Sequence, residues 1–172
     1  SKEYEHFLMN SGNWTTNGIE LNLNARPTDK IHLELDLTYQ KTENEKSTEA
    51  EPAYSPNLLG QFKLGYYFKP NISMGFTTYY VSEMELFFDQ SLEASDGSMG
   101  RTIDGTPSND YFCSGLNFRI EDLPFKNVIM SIRVNNLFDT EITYPTYTRN
   151  IWMDKGSVGK ERNFLFTIGY EF

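Results

Sequence analysis

Along residues 31–39 the odd positions read Ile31, Leu33, Leu35, Leu37 and Tyr39, and the even ones His32, Glu34, Asp36 and Thr38. Strict period two is the signature of a strand with one apolar and one polar face. Upstream, Ile19, Leu21, Leu23 and Ala25 alternate with Glu20, Asn22 and Asn24. At the other end, Phe164, Phe166, Ile168, Tyr170 and Phe172 alternate with Leu165, Thr167, Gly169 and Glu171. Four weaker runs complete the set. The expected strands lie near 17–26, 30–42, 58–68, 71–84, 109–120, 127–138 and 162–172.

The connections are as informative as the strands. Pro27-Thr28-Asp29, Lys69-Pro70-Asn71 and the stretch 121–127 around Pro124 read as short turns, with Pro presetting φ. Residues 43–57, 85–108 and 139–161 read as long loops. Short and long links alternate, so the turns gather at one end of an antiparallel sheet and the loops at the other. Alternation of side chains alone equally describes a soluble sandwich with one buried face. Loop asymmetry decides for an all-β, antiparallel up-and-down transmembrane β-barrel, with its apolar rows toward lipid and its polar rows toward the lumen. Tyr39, Tyr66, Phe68, Tyr80, Phe112, Phe118 and Phe164 fall near strand ends, where interfacial aromatics belong.

Composition supports this. The chain of 172 residues holds two Trp, eleven Tyr and thirteen Phe, yet its mean hydropathy is a polar −0.54. No run of 18 apolar residues exists, so no helix is expected to span a bilayer. Fifteen basic against 24 acidic residues give a net charge of −9, which argues against nucleic acid as a partner. A single Cys excludes a disulfide framework, and no H-x-x-x-H or C-x-x-C spacing suggests a metal site. His6 and His32 lack nucleophilic partners at convincing positions, so neither an enzyme nor a cofactor is expected. Seven is an odd strand count, and an open sheet in hydrocarbon would leave unpaired edges. The chain is therefore expected to pair with further strands.

Several segments resemble the TonB-dependent receptor family of Gram-negative outer membranes. Val134-Asn135-Asn136-Leu137-Phe138-Asp139 is similar to the family's V-x-N-L-F-D motif, with Tyr144 or Tyr147 as the Tyr that follows. Residues 159–163, leading to Tyr170-Glu171-Phe172, resemble its G-x-x-R start and terminal-aromatic strand. Asn10-Ser11-Gly12 through Gly18-Ile19-Glu20 is similar to its N-x-G…G-V-E segment.

This resemblance implies an outer-membrane importer of siderophore-iron, cobalamin or a glycan, energised through TonB. The chain would be about seven C-terminal strands of a plugged barrel of about 22. The plug and the TonB box are expected to lie outside it. Implied partners are outer-membrane lipid and lipopolysaccharide, the remaining strands and plug, TonB through the plug, and a surface lipoprotein. An alternative is a non-transporting scaffold for a partner lipoprotein or secretion complex.

Candidate ligand contacts are Phe87, Phe88, Arg101, Arg133, Tyr144, Tyr147 and Trp152. Arg133 is the best single lumen residue, because an inward guanidinium seeks a carboxylate, on a plug or on a ligand. Phe164, Phe166, Ile168, Tyr170 and Phe172 resemble the signal read by the barrel-assembly machinery. Asn136, Leu137, Phe138 and Asp139 read as structural: Asn satisfies backbone groups at the strand exit, and Leu137 and Phe138 cover the loop base.

Overall fold

In the computed structural model, residues 14–44, 55–84, 108–122, 124–144 and 157–172 are described. The main element is a seven-stranded antiparallel sheet. Its strands are β1 (Trp14–Thr28), β2 (Ile31–Asn44), β3 (Leu58–Lys69), β4 (Ile72–Val81), β5 (Tyr111–Glu121), β6 (Val128–Asn135) and β9 (Asn163–Tyr170). Between β6 and β9 lie two short strands, β7 (Thr143–Tyr144) and β8 (Ser157–Val158), paired only with each other. Every neighbour in the main sheet follows the previous one in the chain, so the sheet is an open up-and-down meander.

Register converts the sequence pattern into two chemically distinct faces. Leu23, Leu35 and Phe62 stand side by side, as do Leu21, Leu37 and Gly60. Further along, Phe76 pairs Leu116, which pairs Val134, which pairs Phe164. Because side chains alternate with period two, each of these pairings extends one continuous apolar face across all seven strands. Ile19 is 73% exposed and Ile168 65% exposed, so these rows meet no second protein layer among the described residues. This geometry excludes the sandwich and leaves the lipid-facing surface of a barrel wall.

Aromatic rings border that face at both ends. Tyr80 and Phe112 lie 4.7 Å apart at the loop end; Tyr66, Phe68 and Phe118 form an edge-to-face chain at the turn end, with centroid distances of 4.8 and 6.3 Å. Amphipathic rings at the two water–lipid boundaries are the expected girdles of such a wall.

The opposite face carries polar pairs. Asn22 donates to the Asp36 carboxylate and Lys63 pairs with Glu34 at 2.5 Å across neighbouring strands, and Arg119 pairs with Glu121 at 2.6 Å along β5. Each cross-strand pair contributes about 0.2–1 kcal/mol. His32 Nε2 on this face is buried without a hydrogen-bond partner.

Several boundaries differ from the expected ones. β1 continues through Pro27 to Thr28, and the register shifts between Ala25 and Thr28. The bulge accommodates a residue without an N–H, so the turn falls on Asp29 and Lys30 instead. β4 stops at Val81, beyond which Met84 and Ser108 form an isolated bridge. β6 stops at Asn135, short of residue 138, because Asn136 takes a left-handed φ of 50° that ends the ladder. The expected loop 139–161 contains the β7–β8 hairpin.

Leu35→Arg, on the lipid-facing row, is expected to cost about 2–4 kcal/mol near the bilayer midplane. Glu20→Arg on the opposite face should cost far less. Denaturant titrations of the two variants of the full-length protein in liposomes check the difference.

Candidate functional site

At the loop end of the sheet the polar face carries the small buried core of the chain. Tyr111, Cys113 and Ile142 are buried together, with Tyr79 and Val81 packed against them. Tyr79 pairs Cys113, and Val81 pairs Tyr111, which places all four on the polar face. Ile142, 3% exposed, comes from the segment just before β7. The β7–β8 hairpin thus lies against the polar face and covers the free Cys113 thiol.

Residues 135–140 set the position of this hairpin. Asn136 is 3% exposed, and its side chain serves both flanks of the connection. Its Nδ2 donates to the carbonyls of Thr140 (2.8 Å) and Lys160 (3.2 Å), while its Oδ1 accepts from the Thr140 N–H at 2.8 Å. Leu137 N–H donates to the Ser114 carbonyl at 2.7 Å, docking the exit on β5. Asp139, also left-handed at φ 57°, accepts from the Arg162 N–H at 2.8 Å and faces its guanidinium at 3.5 Å. A short amide or carboxylate tolerates the left-handed conformation and bonds nearby backbone, which explains Asn and Asp at both positions. Gly159 donates its N–H to the Ile142 carbonyl at 2.7 Å, and an added Cβ there would come within 2.9 Å of the Ile142 Cβ. Only Gly permits that approach.

Phe138 differs from the expectation: it stands 69% exposed and does not cover the loop base. Asn135 bonds the Asn163 side chain at 2.8 Å, tying β6 to β9.

Two recesses open on the polar face and share Asn135. The upper one, of about 410 Å³, lies beneath the hairpin and is lined by Tyr79, Cys113, Tyr144, Lys160 and Asn163, among others. The lower one, of about 420 Å³, is lined by Gly75, Thr77, Gly115, Asn117 and Arg133. Of the sequence-derived ligand candidates, Arg133 and Tyr144 therefore fall in adjoining recesses. Phe87, Phe88, Arg101, Tyr147 and Trp152 lie outside the described residues. Tyr79, Asn135 and Lys160 are not legible as site residues in the sequence: Tyr79 lies outside the motifs, Asn135 and Lys160 fill their variable positions, and only the hairpin's return across the face groups them.

Phe164, Phe166, Ile168 and Tyr170 form one row on the apolar face, and the Tyr170 and Phe172 rings meet edge-to-face at 5.2 Å.

Neither a protein-family model nor a curated protein sequence matches the chain. Solved structures do. The ferric-catecholate import receptor Fiu of E. coli K12, in its closed form, superposes with a TM-score of 0.73 at 19% identity, over 94% of this chain and 21% of that one. The receptor FpvA of P. aeruginosa, solved bound to a heterologous pyoverdine and iron, gives 0.69 at 18% identity, over 92% and 20%. The copper transporter OprC gives 0.67 at 19% identity, over 94% and 24%. The chain spans about a fifth to a quarter of the length of these structures. Its fold is that of the barrel wall of TonB-dependent outer-membrane receptors.

Asn136→Ala removes three hydrogen bonds from a buried amide and should destabilise the hairpin by about 1–3 kcal/mol. Faster limited proteolysis between β7 and β8, with the strands unaffected, is the expected readout.

Proposed function

We propose that this chain forms part of the wall of a Gram-negative outer-membrane receptor that imports a scarce nutrient with TonB-coupled energy. One observation carries the reading: the seven-stranded sheet matches import-receptor barrels over nearly its whole length and has one apolar and one polar face. Siderophore-bound iron, cobalamin and a glycan are the candidate nutrients.

In this role the chain's own residues do three things. The apolar rows hold the wall in lipid and meet the outer-membrane lipid and lipopolysaccharide. The β9 row ending near Phe172 supplies the signal for barrel assembly. The Asn136–Asp139 clamp fixes where the last long connection emerges, so that Tyr144 and the recess beneath it face the incoming ligand. Plug and TonB act through the rest of the protein. Non-enzymatic operation follows, because import needs binding and release and no bond is made or broken.

The test uses the full-length protein in a Gram-negative host stripped of its own receptors. Collapsing the proton gradient with a protonophore should stop accumulation of a labelled nutrient while surface binding persists. Binding of a lipoprotein without any gradient-dependent uptake would instead favour the scaffold.

A further inference from the structure

Arg133 is the starting point. The polar-face cations of strands β3, β5 and β6 differ in their partners: Lys63 is tied to Glu34 and Arg119 to Glu121, whereas Arg133 makes no ion pair or hydrogen bond among the described residues. It is exposed and stands opposite Asn117 on β5 and Leu165 on β9. Apart from the mutually paired Arg119 and Glu121, the surrounding polar-face positions on these strands, among them Gly115, Ser131, Asn163 and Thr167, are uncharged.

The two adjoining recesses share this bias. Among the described residues their linings contain two cations, Arg133 and Lys160, and no carboxylate. The chain as a whole carries 24 acidic residues and a net charge of −9, so a carboxylate-free groove is the local exception. A cleft of one sign in a wall of the other draws counter-charged solutes to itself. Space is provided as well: a Cβ at Gly75 would meet nothing within 4 Å, so the wall beside Arg133 is open. Among the described residues no group of His, Cys, Asp and Glu could hold a metal ion.

We propose that this groove takes a small organic anion bearing carboxylate groups, in preference to an uncharged sugar or a bare metal cation. Arg133 is its charge partner, Lys160 the second cation above it, and Asn135 the amide shared by the two recesses. The proposal rests on the receptor reading and narrows its ligand class. A guanidinium with no carboxylate partner among the described residues breaks no existing ion pair when it takes one from the ligand, and its planar fork suits a carboxylate in a bidentate bond. A neutral glycan would leave that charge unanswered. A free metal ion would be repelled by it.

The probe is benzene-1,3,5-tricarboxylate, offered to the purified full-length receptor by equilibrium dialysis beside maltotriose and cupric ion. The wild-type protein should retain the tricarboxylate in preference to the other two. Arg133→Gln should weaken retention roughly ten-fold or more, as expected for loss of a charge-assisted pair. Arg133→Lys should recover part of it. Heat-modifiable gel mobility checks that each variant forms a barrel. Asn117→Glu supplies a second reading that keeps the arginine: a carboxylate placed opposite it should quench retention. Preference for maltotriose or cupric ion, no retention of the tricarboxylate, or Arg133→Gln binding as well as wild type would each overturn the proposal. Gradient-dependent uptake that persists under any of those outcomes would leave the receptor reading in place; loss of uptake alone would strike the receptor reading instead.

Discussion

Backbone hydrogen bonding in a medium without water governs this chain. Each N–H and C=O facing hydrocarbon must find a partner in the protein, and an unpaired one costs several kcal/mol. A chain with no long apolar helix among its described residues meets that demand through strand-to-strand ladders. The seven strands do so from β1 to β9 without a crossover. Once the ladders are fixed, period-two geometry leaves no freedom about faces. Leu35 must share a side with Leu23 and Phe62, and Asp36 must share the other with Asn22 and Gln61. The exposed apolar rows, a liability in a water-soluble protein, are the contact surface of the wall.

Where the strands leave the apolar zone, the governing chemistry changes from ladders to individual amides and carboxylates. Asn136 and Asp139 take left-handed conformations that no ladder accommodates, and their side chains bond the backbone freed by the turn. The chain then folds the β7–β8 hairpin back over Cys113 and Tyr111, the most enclosed part of the described structure. A rigid wall and an anchored connection meet there, and this junction is what gives the polar face a shaped surface in place of a flat one.

Charge on the polar face is distributed unevenly for a related reason. Strands β1 to β3 carry Glu20, Glu34 and Asp36; Lys63 neutralises Glu34, and Asn22 donates a hydrogen bond to Asp36. Strands β4, β6 and β9 around the recesses carry glycine, threonine and asparagine, with Arg133 unpaired among the described residues. Acidic self-repulsion is thereby confined to one part of the wall, and the other presents a neutral-to-positive track from the hairpin toward the middle of the strands.

The amino-acid pattern by itself determined the strands, their faces and the alternation of turns with long connections. Period two, Pro-containing turns and apolar rows are local signals that every register of the same sheet must respect. It also pointed to Asn135 and Asn136, since a short polar pair at the end of an apolar run is a strand exit, whereas Asp139 entered only through the resemblance to the family motif. Tertiary structure alone decided the rest. That Pro27 sits in a bulge, that residues 143–144 and 157–158 pair, and that Ile142 seals Cys113 all depend on contacts between distant segments. The same holds for the grouping of Tyr79, Asn135, Lys160 and Arg133: they come from two strands and one return segment, and only the cross-strand register brings them to one groove.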